Sequence, residues 1–269
     1  MKISIITTNY NTDRYLEKTI RSVLNQKGDF ELEYIITDGG STDNSLKIIK
    51  KYEKEIRDEK WGKSIKYRYI SEKDKGQSDG INKGLKMATG DIVAFLNADD
   101  LYTDGALEKV VRYFKDNPEC MWLTGYCRII DENDNEVKKY ATKYKNKKLD
   151  RFSLEQLLIE NCISQPATFW RRELLDEVGY IDESLHYSMD QDLWARFAKK
   201  YELHLIQDYL AEFRFTSDTK TGSSVDKTLK ESRMIAKRYS DSKRVLFLQG
   251  ISNMKRKVSY KYLNNIFKS

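Results

Sequence analysis

The N-terminal third of the chain alternates short apolar runs with longer segments in which apolar residues recur every three or four positions. This alternation predicts repeated strand and helix units, in which a mainly parallel sheet is flanked by helices. Buried strands are expected at residues 2–8, 33–37, 67–70 and 91–96. A polar turn follows each of them, so the pattern is typical of the α/β class.

The second half of the chain is patterned less regularly. Residues 121–130 and 136–144 are predicted to form an antiparallel hairpin, because a turn-rich segment separates them. Further predicted elements are helices at 153–160, after 171 and at 189–200, a strand at 163–170, one or two strands at 203–215, a flexible loop at 217–224, and helices after 225.

The distribution of charge separates the C-terminal segment from the rest. We expect one domain at residues 1–225, with halves at about 1–117 and 118–225, and a helical extension at 226–269. The extension contains 12 Lys or Arg and three Asp or Glu residues, so it carries a formal charge of +9 in a chain of net charge +6. The remaining residues are slightly acidic. The basic character therefore belongs to the extension and does not indicate a nucleic-acid groove.

Composition excludes several classes of protein. The chain has 269 residues, of which 39% are hydrophobic and 33% charged, with only 2 prolines. These values are ordinary for a globular protein and exclude disordered or collagen-like chains. The apolar runs fall short of the roughly 18 residues that span a bilayer, and no signal-peptide pattern precedes the first strand, so a cytoplasmic location is expected. Cys120, Cys127 and Cys162 form no paired motif and are expected to be reduced thiols.

Polar residues follow three of the predicted strands, where open α/β sheets bind their ligands. They are Thr8 and Tyr10, then Asp38, then Asp99 and Asp100. An aspartate there can accept hydrogen bonds from a base or ribose, a tyrosine can pack against a base, and a carboxylate can hold a divalent cation beside a diphosphate. Each residue alone also has a simpler interpretation as a turn former or helix cap. No GxGxxG or GxxxxGK[ST] phosphate loop occurs.

As an ordered set, the motifs indicate a protein family more specifically than any one of them does alone. SIITTNYN at 4–11, TDGGSTDNS at 37–45, SEKDKGQSD at 71–79 and AFLNADD at 94–100 are followed by SQPATFWRR at 164–172 and DESLHYSMDQDLWAR at 182–196. With these motifs the chain resembles the family 2 glycosyltransferases over about residues 1–217. The resemblance implies the Rossmann-like GT-A fold and transfer of a sugar from a nucleotide donor with inversion.

The resemblance implies a nucleotide site in the first half and an acceptor site in the second. Thr8 and Tyr10 would lie along the nucleotide, and Asp38 would recognise uracil, which implies a UDP-sugar donor. Asp79 and, less directly, Lys75 would approach the ribose and diphosphate.

The resemblance also implies a site for a divalent metal, Mn²⁺ or Mg²⁺. Asn97, Asp99 and Asp100 stand at the DXD-like motif, which binds the metal and the diphosphate. Asn97 brings no charge, so Asp99 is expected to be the main ligand, with Asp100 beside it. Thr216 stands where many members have a histidine ligand. Arg214 and the loop at 217–224 are expected to close over the diphosphate.

Asp190 is the general base that the resemblance implies. Inverting transfer needs one group that takes the proton from the acceptor hydroxyl as it attacks the anomeric carbon. Asp192 lies two residues further on and is the alternative. Both residues could also simply begin a helix, where acidic side chains are favourable.

We therefore expect a non-processive glycosyltransferase, of hexosyl or N-acetylhexosaminyl type, that acts on a glycan or lipid-linked acceptor in surface polysaccharide biosynthesis. The processive branch is disfavoured, because the chain has no QxxRW motif. One alternative is a catalytically silent nucleotide-binding or scaffold subunit, favoured only by Asn97 and Thr216. A nucleotidyltransferase would need a Gly-rich basic loop after the first strand, and nucleic-acid binding would need an aromatic and basic surface, so both rank lower.

The C-terminal extension has the pattern of an amphipathic helix. Its last apolar face contains Val258, Tyr262, Leu263, Ile266 and Phe267, with Lys255, Arg256, Lys257 and Lys261 nearby. Such a helix can rest on anionic lipid at the inner face of a membrane, where a lipid-linked acceptor would be found. An ordinary packed helix with a solvated basic face explains the pattern equally well.

Overall fold

The computed structural model describes residues 1–61, 65–216 and 224–266, with side chains as far as Val258. The strands are β1 (Lys2–Asn9), β2 (Glu31–Asp38), β3 (Ile65–Ser71), β4 (Ile92–Asn97), β5 (Leu101–Tyr102), β6 (Trp122–Ile130), β7 (Glu136–Val137), β8 (Thr168–Arg171) and β9 (His204–Arg214). The helices are α1 (Asp13–Leu24), α2 (Ser45–Arg57), α3 (Gln77–Met87), α4 (Ala106–Asp116), α5 (Lys139–Leu149), α6 (Leu154–Ile159), α7 (Leu174–Val178), α8 (Met189–Ala198), α9 (Val225–Tyr239) and α10 (Lys243–Ile266).

Within the described residues, the nine strands form one sheet in the order β3-β2-β1-β4-β8-β6-β9-β5, with β7 paired to β6. The first four strands run parallel, as predicted. β8 is antiparallel to both of its neighbours, so the second half of the sheet is mixed. β6 and β9 are again parallel. The α/β class predicted from the pattern is confirmed.

The carboxyl ends of the parallel strands lie in register. Thr8 lies opposite Thr37 on one side and Asn97 on the other, and Asp38 lies opposite Ser71. The polar residues that end these strands are therefore gathered along one edge of the sheet, next to the loops that lead into α1, α2 and α3.

Helices cover both faces of this sheet. α1, α2 and α4 bury apolar residues such as Leu16, Ile49 and Val110 in one core. α3, α7 and α8 bury residues such as Ile81 and Leu174 in a second core on the other face. Each fully buried aliphatic side chain contributes about 1.5–3 kcal/mol, so the two cores hold the helices firmly on the sheet.

An aromatic cluster joins the second half of the sheet to α8. Trp122 of β6, Trp170 of β8 and Trp194 of α8 are fully buried. Trp194 lies 6.0 Å from Trp122 and 5.5 Å from Trp170 between ring centroids, and Phe197 lies 5.4 Å from Trp122. Such ring pairs contribute about 0.5–1.5 kcal/mol beyond their burial. The cluster therefore fixes α8 relative to the sheet.

Glu33 is a buried charge at the opposite, amino edge of the sheet. It accepts hydrogen bonds from Ser4 Oγ at 2.6 Å and the Thr89 amide at 2.7 Å, and it pairs with Lys66 at 3.1 Å and Arg68 at 2.9 Å. Burial alone would raise the pKa of Glu33, but these hydrogen bonds and cations lower it to about 2. The carboxylate ties three strands together far from the polar strand ends.

The prediction that the second strand of the hairpin spans residues 136–144 is wrong beyond the first two of these residues. Lys138 has a left-handed φ of 52°, which ends β7. The chain then continues as α5, in which Thr142 and Leu149 are buried. Their separation by seven residues places them on one face of a helix, and this spacing decides against a strand.

The predicted strand at 163–170 is also too long. Only Thr168–Arg171 forms a strand, and a 3-10 turn at Gln165–Ala167 precedes it. Pro166 lies in that turn, where it has no amide hydrogen to give to a sheet. The one or two strands predicted at 203–215 form a single continuous strand, β9.

The C-terminal helices α9 and α10 lie where helices were predicted. The loop predicted at 217–224 falls outside the described residues except for Ser224, and so do the side chains at 262–267 of the predicted apolar face. Among the described residues, no helix combines the length and apolar character needed to cross a lipid bilayer. Cys120, Cys127 and Cys162 are buried and free of disulfides.

Candidate functional site

Asp38 ends β2 and is only 2% exposed. Its Oδ1 accepts hydrogen bonds from Asn9 Nδ2 at 2.7 Å and Ser41 Oγ at 2.5 Å, and its Oδ2 accepts from the Ser41 amide at 3.1 Å and Ser71 Oγ at 2.7 Å. Burial opposes ionisation, but these bonds lower the pKa of Asp38. Because a carboxylate accepts in about four directions, a base can bind Asp38 only by exchanging one of these bonds.

Hydrogen bonds join the loop after β1 to the loop after β2. Asn11 Oδ1 accepts from the Thr42 amide at 2.8 Å, and Asp13 Oδ2 accepts from the Asn44 amide at 3.1 Å. Asn11 has a left-handed φ of 51°, which asparagine tolerates better than most residues. Between these fixed points Tyr10 is 63% exposed. An exposed ring beside polar strand ends is a surface on which a base can stack.

Asp74 packs on glycine backbone beside Thr8. A Cβ atom on Gly39 would lie 2.6 Å from Asp74 Oδ2, and one on Gly80 would lie 3.2 Å from the same oxygen and 3.5 Å from Thr8 Cγ2. A side chain at position 39 would therefore push the Asp74 carboxylate out of its present place. Asp74 lies at the strand ends together with the predicted Thr8; it stands inside the motif at 71–79, but no role is assigned to it from the sequence.

Lys75 and Asp79 are brought together through the backbone. Asp79 Oδ2 accepts a hydrogen bond from the Lys75 amide at 3.0 Å and lies 3.5 Å from Nζ of Lys83. The Lys75 amide is the main cause that lowers the pKa of Asp79, and the charge of Lys83 adds to it. Asp79 thus stabilises the loop before α3, and the side chain of Lys75 remains exposed.

The side chain of Asn97 links three elements at the end of β4. Its Oδ1 accepts from Gln77 Nε2 at 2.7 Å, and its Nδ2 donates to Asp100 Oδ2 at 3.1 Å and to Gln165 Oε1 at 3.2 Å. Gln165 in turn donates to the carbonyl of Phe95. Asn97 therefore holds the turn after β4 against α3 and the segment before β8.

Asp100 is fully buried beneath this turn. Its Oδ1 accepts a hydrogen bond from the Arg214 amide at 2.9 Å, and its Oδ2 accepts from Asn97. Burial and the charge of Asp99 raise the pKa of Asp100 well above its ordinary value. Asp100, expected as a second metal ligand beside Asp99, is therefore engaged by two hydrogen bonds beneath the turn, and its role as a ligand stays a prediction. Asp100 lies beneath the turn and stabilises it through these two hydrogen bonds.

Asp99 is the partly exposed carboxylate of the turn. Burial raises the pKa of Asp99, while its own amide and the charge of Arg214 oppose the change. No group of three or more Asp, Glu, His and Cys side chains that could hold a metal lies in the part of the chain that the structure describes. Mg²⁺ is commonly held by one or two carboxylates together with substrate phosphates. The donor set fits a metal that is shared with a bound diphosphate.

Arg214 is fully buried behind the turn. Its Nε donates to the Asp99 carbonyl at 2.9 Å, its Nη2 lies 2.6 Å from Asp134 Oδ1, and its guanidinium lies 4.5 Å from the ring centroid of Tyr15. In this ion pair, the Asp134 side chain is 35% exposed. The expectation that Arg214 closes over the diphosphate together with the loop at 217–224 stays a prediction, because most of that loop lies outside the described residues.

The first turn of α8 carries the two candidate bases. Asp192 is 1% exposed and accepts hydrogen bonds from Arg196 at 3.0 Å, Arg238 at 2.7 Å and Tyr239 at 2.9 Å. Through these hydrogen bonds, Asp192 holds α9 against α8. Asp190 is half-buried, and burial raises the pKa of its carboxyl. The geometry favours Asp190 over Asp192 as the reactive carboxylate.

Glu231 of α9 binds the backbone that leads into α8. Its Oε1 accepts from the His186 amide at 2.9 Å, and its Oε2 accepts from the amides of Tyr187 at 2.7 Å and Ser188 at 2.8 Å. A carboxylate at this position satisfies amides near the start of a helix and is stabilised by the helix dipole. Its charge adds to burial in raising the pKa of Asp190.

Lys145 of α5 is a half-buried cation near Asp190. Burial lowers the pKa of Lys145, while the charge of Asp190 opposes the change. In return, Lys145 opposes the rise in the pKa of Asp190. The two side chains therefore form an electrostatically coupled pair.

Ser164 and Gln165 connect this pair to the turn after β4. Ser164 Oγ accepts a hydrogen bond from Lys145 Nζ at 3.0 Å, and its neighbour Gln165 accepts one from Asn97 at 3.2 Å. Two consecutive residues thus link the turn that carries Asp99 to the lysine coupled to Asp190. The predicted donor side and the predicted acceptor side meet at this point.

Sequence patterns did not identify Asp74, Lys145 or Glu231. Lys145 lies among other lysines, and Glu231 lies in the extension, outside every motif. For Asp74, the glycines at positions 39 and 80 were the available signal, because a missing Cβ can mark a close approach of another group.

Comparison with known proteins shows that the chain is similar to glycosyltransferases. The model of the glycosyl transferase family 2 matches residues 4–179. An uncharacterised glycosyltransferase of Nostoc sp. is 35% identical over 185 residues, which are 68% of this chain and 54% of the relative. The GalNAc(5)-diNAcBac-PP-undecaprenol beta-1,3-glucosyltransferase of Campylobacter jejuni is 27% identical over 221 residues, 82% of this chain and 67% of the relative. The chain thus spans about half the length of the Nostoc relative.

Two solved structures share the fold at low sequence identity. S. aureus TarS 1–349 in complex with UDP-GlcNAc has a TM-score of 0.65 and 20% identity, over 90% of this chain and 68% of that one. The mannosyltransferase PcManGT from Pyrobaculum calidifontis, in complex with GDP-Man and Mn²⁺, has a TM-score of 0.70 and 17% identity, over 93% and 69%. The sheet and its helices are therefore those of the GT-A fold, and the family match over residues 4–179 establishes that the chain belongs to glycosyl transferase family 2.

Proposed function

We propose that the protein transfers one sugar from a nucleotide donor, a UDP-sugar, to a hydroxyl of a lipid-linked or other surface-glycan acceptor, with inversion. The named activity of the Campylobacter jejuni relative supports the lipid-linked acceptor, and the UDP-GlcNAc bound to TarS supports the donor class. Whether a hexose or an N-acetylhexosamine is moved depends on residues that contact the sugar, and we propose only the nucleotide part of the donor.

The observation that carries this proposal is the link formed by Ser164 and Gln165. This link holds the turn of Asp99, where a diphosphate would lie, in a fixed position relative to Lys145, whose charge acts on Asp190. A transferase needs a leaving-group site and a base at a constant separation, with the anomeric carbon between them. A nucleotide-binding scaffold has no need of the second site.

Asp190 is proposed as the general base. A carboxylate whose pKa is raised by burial is a stronger base than an exposed aspartate, and so accepts the acceptor's proton more readily near neutral pH. As that proton moves to Asp190, the acceptor oxygen bonds to the anomeric carbon, and the bond from this carbon to the diphosphate oxygen breaks on the opposite face. The nucleoside diphosphate leaves with the electron pair, and the configuration at the anomeric carbon is inverted.

A divalent metal, Mn²⁺ or Mg²⁺, is proposed to share Asp99 with the diphosphate. The metal would supply positive charge to the departing diphosphate. Asp100 and Asn97 hold the Asp99 turn, and both side chains are already engaged. Thr216 replaces the family histidine, so we expect the metal to bind weakly until the nucleotide supplies phosphate oxygens. Mn²⁺ in the PcManGT complex is consistent with this choice.

The nucleotide is proposed to lie along the carboxyl ends of β1 and β2. Tyr10 would stack on the base, and Thr8 would line the path of the ribose with Asp79 and Lys75 beyond it. Asp38 would bind the uracil by exchanging a side-chain donor such as the rotatable Ser41 hydroxyl, since only one of its four bonds comes from the backbone.

The proposal is tested by measuring donor hydrolysis, acceptor transfer and nucleotide binding in matched variants. Asp190→Asn is expected to lower turnover by about 10²–10⁴-fold, the usual contribution of a general base, and to keep nucleotide binding. Asp99→Asn is expected to lose metal-dependent binding of UDP. Asp176→Asn, which makes the same change at an exposed residue of α7, is the control.

A wild-type protein that binds UDP but turns over no donor, with or without Mn²⁺, would favour the scaffold subunit instead. Equal turnover in Asp190→Asn and the control would reject Asp190 as the base. Failure of all nucleotides to raise the melting temperature would reject the donor site, because saturating a site a hundredfold above its Kd stabilises a protein by about 2.7 kcal/mol.

A further inference from the structure

The outer face of α10 carries a stripe of apolar side chains that nothing in the described chain covers. Phe247 is 67% exposed, Met254 63% and Val258 64%. Ile251 is half-buried between them. Spacings of four, three and four residues place these side chains on one face of a helix. We name this set, Phe247, Ile251, Met254 and Val258, the outer stripe.

Basic residues flank the outer stripe on both sides. At 100° per residue, Lys243 and Lys257 lie on one side of the stripe, and Arg244 and Lys255 lie on the other. The helix from residue 243 to residue 266 contains no Asp or Glu. An apolar strip between two rows of cations is the arrangement that sits at the boundary between anionic headgroups and acyl chains.

Two of the cations form ion pairs, and these pairs do not remove them from the surface. Arg244 lies 3.3 Å from Glu155, and Lys257 lies 2.8 Å from Asp226. The side chains of Arg244 and Lys257 are 75% and 63% exposed. Exposed pairs of this kind are weak and are easily exchanged for phosphate groups.

The opposite face of α10 is occupied by the protein itself, which fixes the direction of the outer stripe. Val245 is 4% exposed and Gln249 is fully buried. Arg233 of α9 donates hydrogen bonds to the Leu246 carbonyl and, at 2.9 Å, to Gln249 Oε1. The helix is therefore docked on the domain by one face and presents the other outward.

A groove of about 440 Å³ runs beside the stripe, between α10 and the pair α5 and α6. Ile251 of the stripe and the flanking Arg244 and Lys255 also line the groove. Lys148 lines the groove from α5, one turn from Lys145 of the proposed acceptor site. The groove therefore connects the side of the stripe with the helix that carries Lys145.

From these observations, we propose that the outer face of α10 binds the surface of an anionic lipid bilayer. The outer stripe enters the interface, and Lys243, Arg244, Lys255 and Lys257 contact phosphate groups. This partner surface goes beyond the transfer reaction, and its test requires neither donor nor acceptor. The stripe shares Val258 with the apolar face that the sequence pattern predicted and extends it toward the start of α10 through Phe247, Ile251 and Met254.

The test is flotation of the full chain with vesicles of phosphatidylcholine alone or with phosphatidylglycerol added. Binding is expected only with phosphatidylglycerol and should weaken as salt is raised. The double variant Phe247→Ser with Met254→Ser is expected to lower the vesicle-bound fraction by about tenfold or more, because two large apolar side chains no longer enter the interface. Lys255→Gln with Lys257→Gln should remove the preference for phosphatidylglycerol.

Tyr140→Ser is the matched control, since Tyr140 is 91% exposed but lies on α5, away from the stripe. Circular dichroism establishes that the variants are folded, and donor hydrolysis in solution is expected to be unchanged in all of them. Vesicle binding that is equal in the stripe variant and the control would overturn the proposal. So would self-association of the wild type in solution that the stripe variant abolishes, which would identify a second copy of the chain as the occupant.

If the protein binds vesicles but hydrolyses no donor, the proposed lipid-binding surface is supported and the proposed transfer reaction is rejected. The reverse result, turnover without vesicle binding, would reject the lipid surface alone. The two proposals therefore fail separately.

Discussion

Glu231 accepts a hydrogen bond from the amide of Ser188 at 2.8 Å, two residues before Asp190. The same carboxylate also binds the two preceding amides, so one side chain of α9 holds the whole entry into α8. Glu231 lies outside residues 4–179, which the family model matches. The C-terminal helices therefore take part in shaping the candidate acceptor site, although the family motifs lie elsewhere.

Glu231→Gln is expected to lower stability and to change the pH dependence of turnover. An amide side chain has one acceptor oxygen instead of two, and a donor left unsatisfied in a partly buried place costs about 1–3 kcal/mol. Loss of the negative charge removes one cause that raises the pKa of Asp190. The acidic limb of the kcat/KM profile should therefore move to lower pH.

The measurements for this variant are urea denaturation and the pH profile of donor hydrolysis. Asp226→Asn removes a charge from the same helix at an exposed position and serves as control. If Glu231→Gln destabilises the protein but leaves the acidic limb where it was, Glu231 has a structural role only. Glu231→Asp should restore the charge and move the limb back.

Lys145→Met is expected to have the opposite effect on the pH profile. The charge of Lys145 opposes the rise in the pKa of Asp190, so its removal raises that pKa further. Glu231 also acts on Asp190, in the raising direction. The acidic limb of kcat/KM should therefore move to higher pH, with slower turnover at low pH.

Lys143→Met is the matched control, because Lys143 is exposed on the same helix. Equal shifts in both variants would point to a general charge effect and would remove Lys145 from the site. A shift toward lower pH in Lys145→Met would contradict the assignment of Asp190 as the group that titrates.

The sequence predicted those residues of the site whose position follows from the local pattern of apolar and polar residues. A buried parallel strand must end where its apolar run ends, so Thr8, Asp38 and Asn97 could be placed at one edge of the sheet from the pattern alone. Their register in the structure confirms that placement.

The parts that the sequence did not predict depend on contacts between residues far apart in the chain. Nothing in the order of residues brings Glu231 to the start of α8, or places Arg214 behind the turn of Asp99. The burial of Asp100 follows from that same contact of β9 with the turn. In α5, a lysine-rich segment has almost no apolar pattern, so tertiary contacts decide between helix and strand.

Asp38→Asn is expected to weaken nucleotide binding by more than about tenfold and to lower stability by about 2 kcal/mol, since bonds to a carboxylate contribute about 1.5–3 kcal/mol each. The amide that replaces one oxygen cannot accept from Ser71 or from the Ser41 amide, so the loops that present Tyr10 lose their anchor. Thermal shift with UDP and isothermal titration measure both effects.

Asp58→Asn, at the exposed end of α2, is the control for this variant. Unchanged UDP affinity in Asp38→Asn would place the nucleotide elsewhere. A variant that loses UDP but gains GDP or CMP would instead support direct recognition of the base by Asp38.

Glu33→Gln is expected to destabilise the protein at neutral pH and to leave nucleotide binding intact, because Glu33 lies at the amino edge of the sheet. The folded-state pKa of Glu33 is lowered from 4.5 to about 2. A lowered pKa means that the carboxylate contributes its stability above the unfolded-state value and loses it as the pH falls toward the folded-state value. The expected loss at about pH 7 is roughly 3 kcal/mol, and it should shrink steadily below about pH 4.5.

Urea denaturation across this pH range checks the prediction, with Glu31→Gln as control at an exposed position of the same strand. Only Glu33→Gln should lose stability at neutral pH, and the curves of wild type and variant should converge in acid. A constant difference between them at every pH would mean that packing, and not the charge of Glu33, supports the three strands. Retained UDP binding in Glu33→Gln would separate this buried charge from the nucleotide site at the other edge.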